Sequence, residues 1–451
     1  MASTYSDNII LTNDNPRFES PEKIRKDIKK GIKKKIITEI SNRSIAINYA
    51  IKNLNTGDLL LVAGKGHERT QYIGNRKVYF SDKKEILNAI KIKNKNLSNN
   101  LKINVIKEVA RIQKSLPSKL IGKARINSRE VCKNDIFFAI KGKKNDGNKF
   151  VSQSFKKKAS FAVVNKIQNK LNINRQIKVK NTLKFLTDVS KIYRNGIDAN
   201  IIAITGSCGK TTLKELLGNI FRKISKVGIS PKSYNNKFGV PLSLFNLSQN
   251  DEYGILEVGM DKKGEIDYLT KIIKPNVGVI TNINYAHAKN FKNIKQIALA
   301  KSEIISNIKS NGFVVLNADD KFFKLHSKIA YQKKLKVISF GIKNRIANIK
   351  LTNIKSIGKK FKINICLNNK SKYFLVSDDF QNNIYNILSA LAVISIYKNI
   401  LNLNEDIFLN FKNPEGRGDH SVIKINNKKI NLIDQSYNSN PLSLKSANKK
   451  L

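Results

Sequence analysis

Long apolar runs are missing from this chain of 451 residues. The longest, such as Leu388 to Ile396, fall well short of the roughly 18 residues that a membrane-spanning helix needs. Met1 to Ile10 has no basic stretch ahead of an apolar one, so neither membrane insertion nor secretion is encoded. Cysteine is scarce too. Cys132, Cys208 and Cys366 are odd in number, far apart and without C-x-x-C spacing, which argues against a disulfide or zinc framework and for a reducing compartment, the cytoplasm by default. Acidic residues number 33 against 84 lysines and arginines, a formal charge of +51. Such an excess raises nucleic-acid binding as a first idea. The lysines, however, are spread along the whole length among Ile and Asn, with no localised basic arm. The charge therefore reads as a solvated basic surface and not a nucleic-acid groove, and polyanionic small substrates gain from its field.

What is present suffices for ordinary cores. Hydrophobic residues make up 41% of the chain, which excludes global disorder, and the length suggests about three domains. Residues 1–92 read as alternating strands and helices: an apolar run at Asn8 to Thr12, a helix from Pro21 to Ile32 opened by Ser20 and Pro21, and a buried strand at Asp58 to Ala63. Residues 93–104 are almost wholly Lys, Asn, Ser and Leu and are predicted to be a linker. A second α/β stretch spans 105–199, with a strand at Asp135 to Ile140 and a turn-rich segment from Lys141 to Asn148. From 200 to 412, short apolar strands alternate with helices, which predicts a doubly wound parallel sheet covered on both faces. Beyond Asn413 a further βα unit is expected at 413–451, with a strand at Lys429 to Asp434 and a helix from about Leu442. That last piece reads as the start of a domain without its remainder.

The most informative segment runs from Ile201 to Thr212. An apolar strand leads into Thr205-Gly206-Ser207-Cys208-Gly209-Lys210-Thr211-Thr212, and then into a helix whose buried face is spaced by Leu213, Leu216, Leu217, Ile220, Phe221 and Ile224. Gly206 and Gly209 let backbone N–H groups approach an anion at the positive end of that helix. Lys210 can reach β- and γ-phosphates, and the Thr211 hydroxyl can bind Mg²⁺. The strict eight-residue Walker pattern would place glycine at Ile204, so the general motif match is partial. Glu257 closes the strand Tyr253 to Leu256 and offers a hard oxygen ligand at the crevice end of the sheet. His287 follows the apolar strand Val277 to Ile283 and is either a crevice residue or a polar surface group. Lys301 falls on the apolar stripe of its own helix, where snorkelling is the plain account.

Together these residues resemble the Mur ligase family of peptidoglycan synthesis. Its short phosphate loop looks like Thr205 to Thr212. Ser233-Tyr234-Asn235-Asn236 with Gly239-Val240-Pro241-Leu242 resembles the segment that follows, and Leu256-Glu257-Val258-Gly259-Met260 the strand with a magnesium-binding glutamate. The resemblance implies metal binding by His287 and carbamylation of Lys301, and the apolar setting of Lys301 favours the neutral amine that reacts with CO₂. Asn317-Ala318-Asp319-Asp320 and Asn383-Ile384-Tyr385-Asn386 resemble adenine-side segments, so Asn317 and Asn386 are expected near the base. Arg417 is expected on ATP phosphate and Asp434 on the ribose. Ser128 and Arg129 resemble the UDP-precursor contacts, and Ser436-Tyr437-Asn438-Ser439-Asn440-Pro441 resembles the branch that adds D-alanyl-D-alanine. The implied activity is an ATP- and Mg²⁺-dependent ligase joining D-alanyl-D-alanine to UDP-N-acetylmuramoyl-tripeptide. Residues 1–92 resemble the end of the family's diaminopimelate-adding branch, through Asp14-Asn15-Pro16-Arg17 and Gly64-Lys65-Gly66-His67-Glu68. Asp14, Asn15, Arg17, Gly64 and Glu68 are thereby implicated in amino-acid recognition, while a plain turn is the bland reading of the first run. A two-enzyme fusion is the simplest expectation. The alternative is a non-catalytic remnant that binds nucleotide and UDP-precursor only.

Overall fold

A computed structural model describes residues 2–32, 36–54, 58–66, 68–112, 116, 121–142, 145–285, 290–358, 360–377, 383–425, 428–434 and 436–437. The chain divides into two compact units, Met1–Asn100 and Leu101–Leu451.

In the first unit, α1 (Ala2–Tyr5) precedes β1 (Asn8–Leu11), α2 (Pro21–Lys30) and β2 (Ile36–Glu39). Strands β1 and β2 pair in parallel, with Asn8 opposite Ile36. Ser20 caps α2 by accepting from the Lys23 amide, and Pro21 takes the first helical turn, where a missing N–H costs nothing. Then come α3 (Arg43–Asn53), the antiparallel hairpin β3 (Thr70–Ile73) and β4 (Arg76–Tyr79), and α4 (Asp82–Ala110), whose residues from Leu101 onward belong to the second unit. Ile47, Ile51 and Ala89 form the small core. One expectation fails here. The buried strand at Asp58 to Ala63 is not formed, and Leu59 and Leu61 are 94% and 82% exposed. An extended run without a ladder partner gains no hydrogen bonds, and β1 and β2 form a two-stranded sheet with each other. The predicted linker at 93–104 is helical, within α4, and the division between the two units falls inside it. It contains neither proline nor glycine, and Lys and Leu favour helix, so polarity alone does not interrupt it.

The second unit opens with a four-stranded parallel sheet in the order β5 (Ala124–Arg125), β6 (Ile136–Phe138), β7 (Phe161–Val164), β8 (Gln176–Lys178), with α5 (Val151–Lys156) and α6 (Thr182–Asn195). Its side chains alternate between two clusters. Ile136, Phe138, Phe161 and Val163 join the large core that includes α6, while Phe137, Ala162 and Val164 pack with Val151.

The elements that follow are β9 (Asn200–Thr205), α7 (Lys210–Ile224), β10 (Val227–Ile229), α8 (Gly239–Phe245), β11 (Tyr253–Glu257), α9 (Glu265–Ile273), β12 (Val277–Ile280), α10 (Ile294–Ser306), β13 (Phe313–Asn317), α11 (Phe323–Gln332), β14 (Lys336–Gly341), β15 (Ile349–Ile357), β16 (Lys360–Leu367), β17 (Lys370–Ser377) and α12 (Ile384–Ser395). They build one nine-stranded sheet ordered β10-β11-β9-β12-β13-β14-β15-β16-β17. As expected, its parallel part is covered on both faces. Ile201 and Ala203 point into the core that holds α9 and α10, and Ile202 and Ile204 into the one that holds α7 and α12. The sheet is not parallel throughout, because β15, β16 and β17 run antiparallel. Asn368 and Asn369 join the last two with φ of +46° and +62°, the left-handed pair that a two-residue hairpin needs. After α12, the strand expected at Lys429 to Asp434 is present as β19 (Lys428–Asp434), and it pairs with β18 (Asp419–Ile425) as an antiparallel hairpin. The helix expected from Leu442 lies outside the described residues.

Strand β9 sits between β11 and β12, so successive connections leave its end in opposite directions. This is the switch point of an open α/β sheet, where a crevice forms at the strand C-termini.

One lysine in this unit is unusually buried. Lys102 is 7% exposed, with its ammonium 5.6 Å from the ring centres of both Tyr193 and Phe245. Burial pushes its pKa down from 10.5 to about 8, despite the nearby Asp251 carboxylate. Between those values the unfolded chain holds a proton that the folded chain has shed, so stability rises with pH across that window. Lys102→Met is therefore expected to stabilise the protein by roughly 1–3 kcal/mol below pH 8, offset in part by the lost ring contacts. Chemical unfolding from pH 7 to 10.5 checks this: the advantage of the variant shrinks as pH rises.

Candidate functional site

The turn after β9 is shaped by two glycines. Gly206 has φ +148°, and a Cβ there would lie 1.9 Å from Thr281 Oγ1. Gly209 has φ +81°, and its Cβ would lie 2.7 Å from Asn386 Oδ1. The segment after β12 pins the loop between them. The Ser207 amide donates to Asn282 O at 3.0 Å and the Cys208 amide to Asn282 Oδ1 at 3.0 Å. Thr281 donates its hydroxyl to Cys208 O at 2.6 Å, and Ser207 Oγ donates to Asn284 O at 2.9 Å. Helix α7 then begins at Lys210, so its first unpaired amides face the loop. Thr205 Oγ1 is buried with no hydrogen-bond partner among the described residues.

Two cations meet at this turn. Lys210 and Lys301 each donate to the single carbonyl oxygen of Gly206 at 3.0 Å. Lys301 is 2% exposed, carried inward by the apolar face of α10. Burial, and then the charge of Lys210, hold its pKa well below the ordinary lysine value. Lys210 is also lowered, first by burial of its ammonium, with Glu257 acting in the other direction.

Across the mouth, Glu257 is 1% exposed at the end of β11. Its Oε2 accepts from Thr211 Oγ1 at 2.7 Å and its Oε1 from Asn235 Nδ2 at 2.8 Å. Ser233 Oγ lies 3.5 Å from Thr211 Oγ1 and accepts from Arg417 Nη2 at 3.3 Å. The Arg417 guanidinium stacks on Tyr437 at 4.2 Å. Hard oxygens and cations thus share one end of the sheet.

The structure brings together the loop from Thr205 to Thr212, Lys301, Glu257 and Arg417, and sets Asn386 against Gly209. Asn317 is 9% exposed and accepts from the Asp319 amide at 3.0 Å. Asp319 in turn accepts from the amides of Ile342, Lys343 and Asn344 and from Tyr385 Oη, which burial and the Asp319 charge push up to about 12. Asp434 accepts from the Ser436 amide at 2.8 Å and is tied to the Arg417 segment through the Gly418 amide on its carbonyl. Ser128 bonds to Gln153 Oε1 at 2.7 Å, and Arg129 is exposed beside it. Their turn reaches the site through Glu130, paired with Lys232 at 3.3 Å. His287 lies outside the described residues.

In the first unit, Asp14, Asn15 and Glu68 collect around Lys65, which is 2% exposed. Its ammonium donates to Asn15 Oδ1 at 2.9 Å and lies 3.5 and 3.6 Å from the Asp14 and Glu68 carboxylates. Gly64 leaves room for Asp14, whose Oδ2 would be 2.9 Å from a Cβ there. Arg17 has φ +50°, its backbone bonds to Tyr72 and Gly74, and its side chain is exposed.

Asn282, Asn284 and Lys214 were not read as site residues from the sequence. The signal for the asparagines was their alternation just after the apolar strand β12. Lys214 offered none, since a lysine on a helix reads as solvated.

Loop, switch point and carboxylate define an enzyme of the phosphate-binding α/β class. Residues 204–394 match the Mur ligase middle domain, and residues 1–66 match the Mur ligase, glutamate ligase domain. The UDP-N-acetylmuramoyl-tripeptide–D-alanyl-D-alanine ligase of Buchnera aphidicola subsp. Acyrthosiphon pisum is 34% identical over 74% of this chain and 72% of its own length. That of Rickettsia prowazekii is 30% identical over 72% and 71%. A crystal structure of MurF from Acinetobacter baumannii matches with a TM-score of 0.65 and 26% identity, covering 77% of this chain and 75% of that one. The chain belongs to the Mur ligase family.

Gly206→Ala combines a backbone angle that L-residues rarely adopt with a clash at Thr281, and is expected to cost about 2 kcal/mol or more. Chemical unfolding measures the loss. Adding Thr281→Ala removes the clash but not the strain, so the double variant recovers part of it.

Proposed function

We propose that this chain is an ATP-dependent ligase of peptidoglycan precursor synthesis that joins D-alanyl-D-alanine to UDP-N-acetylmuramoyl-tripeptide, working in the cytoplasm. The observation that carries the reading is the convergence of Lys210 and Lys301 on the Gly206 carbonyl, opposite the Thr211–Glu257 pair. The relatives named above support the choice of substrates.

In this reading residues 105–199 hold the UDP-precursor, with Ser128 and Arg129 among the contacts. Residues 200–412 bind ATP, and 413–451 begin a third domain. The triphosphate fits the chain, because Gly206 and Gly209 let the turn pack against Thr281 and Asn386 with the first unpaired amides of α7 facing the loop. A magnesium ion fits too: Thr211 and Glu257 offer hard oxygens within 2.7 Å of each other. When bound, it supplies a divalent charge that draws electron density from the transferring phosphoryl. Asn317, Asn386 and Asp434 are assigned to the nucleoside side, and His287 to the metal side.

The chemistry then follows from placement. The tripeptide's terminal carboxylate attacks the γ-phosphorus, and an acyl phosphate forms as ADP departs. The amine of D-alanyl-D-alanine next attacks the acyl carbon, an amide forms, inorganic phosphate leaves and the amine loses a proton. Lys210 and Arg417 neutralise charge on the phosphoryl oxygens, and the loop amides fix the phosphate chain in line. No enzyme nucleophile is needed. We further propose that residues 1–92 derive from a second ligase, since residues 1–66 match a glutamate ligase domain ahead of the middle domain. The cluster of Asp14, Asn15, Arg17, Gly64 and Glu68 is then its amino-acid recognition site.

Lys210→Ala is expected to abolish ATP-dependent acyl-phosphate formation, a loss of roughly 10³-fold or more in phosphate release. Acyl phosphate at the wild-type rate in that variant would remove the site assignment.

A further inference from the structure

Helix α7 carries a second lysine one turn beyond the phosphate loop, and the reaction outlined above leaves it unused. Lys214 is completely buried, with its side chain 0% exposed. Its ammonium donates to Ser230 O at 2.7 Å and to Lys232 O, and it lies 3.0 Å from Glu215 Oε1. Both carbonyls belong to the turn that follows β10. The helix lies so close to that strand that a Cβ on Gly218, one turn further on, would meet Ile229 Cδ1 at 2.0 Å. The ammonium is thus clamped between the helix and the turn.

The turn leads straight to the site. Ser230 Oγ accepts from the Glu257 amide at 3.2 Å, and the Ser230 amide donates to Ile255 O at 3.0 Å. Lys232 is held at φ +46°, a left-handed conformation that a lysine does not favour. Next in line, Ser233 approaches Thr211 and receives Arg417, and Asn235 donates to Glu257. Every acceptor of Lys214 in the turn is therefore within three residues of a group that orients Thr211, Glu257 or Arg417.

We propose that Lys214 is a positioning residue: its buried ammonium holds the Ser230–Asn235 turn against α7 and so sets the aim of Glu257 and Ser233 toward Thr211. The inference rests on the phosphate-loop reading. A charge buried at this depth is kept only where a paired charge and hydrogen bonds offset its desolvation, and here Glu215 and the two turn carbonyls supply them. The bonds made here fix a strained turn, three of whose side chains, Ser230, Ser233 and Asn235, contact Glu257, Thr211 or Arg417.

Calorimetric titration of the whole chain with ADP, once with Mg²⁺ and once with EDTA, separates aim from fold. Lys214→Met is expected to weaken ADP binding about tenfold in Mg²⁺ and less than about threefold in EDTA, as when the support of a metal-binding carboxylate is lost. Lys214→Gln, which keeps two donors without the charge and is the gentler change should the methionine variant not fold, shows a smaller loss with the same dependence on Mg²⁺. Lys214→Arg, whose guanidinium can serve both carbonyls, recovers most of the affinity. Equal losses with and without Mg²⁺, or affinities within about twofold of wild type in the glutamine variant, overturn the proposal. A wild-type chain that gives no heat with ADP and Mg²⁺ overturns the phosphate-loop reading and this inference with it.

Discussion

Two ammonium groups share one oxygen at the end of β9, and the surrounding structure is organised to keep them there. Lys210 arrives from the first turn of α7 and Lys301 from the buried face of α10, each 3.0 Å from Gly206 O. A carbonyl carries only a partial negative charge, so in a dry site two full positive charges on it are under-compensated. The system relieves this in one of two ways. Lys301 gives up its proton more readily, because burial and the charge of Lys210 depress its pKa, or an anion joins the pair. A polyphosphate is an anion of the right charge.

The sheet makes this possible because three neighbouring strands end together. Thr205 ends β9, Glu257 ends β11, and Thr281 follows β12, so glycine turn, carboxylate and pinning segment are set by backbone register and not by flexible side chains. Ala203 stands opposite Leu256 on one side and Gly278 on the other. A slip of one residue in the β9–β11 ladder would turn Glu257 away from Thr211, and one in the β9–β12 ladder would carry Thr281 off the loop.

Much of this is written in local pattern. The strand-glycine-helix sequence around Gly206, the apolar face of α7 and the carboxylate closing β11 are short-range features, and each lands where its periodicity places it. Lys301 was legible as an oddity, a lysine on an apolar stripe. What local pattern does not hold is partnership. Asp58 to Ala63 has a strand's composition yet no neighbour to pair with, and residues 93–104 have a linker's composition yet nothing to stop a helix. The antiparallel run of β15 to β17 was hidden in a simple alternation, though Asn368-Asn369 marked its turn. Lys214 was illegible for a related reason: only the closeness of Gly218 to Ile229, a contact across the fold, turns a helix lysine from solvated to buried.

The chain's +51 charge and the charge at its loop act on different scales. Exposed lysines are screened within about 8 Å at physiological ionic strength, so they steer polyanions toward the surface without choosing among them. Lys210, Lys301 and Lys214 lie beneath the surface, where screening is weak and direction is imposed by hydrogen bonds. The same residue type therefore does two jobs in this protein. Drift toward lysine across the surface leaves this arrangement intact, because the buried ammonium groups are anchored on main-chain carbonyls: Gly206, Ser230 and Lys232. Main-chain acceptors do not change when the surrounding composition does, which lets so basic a chain keep these buried hydrogen bonds.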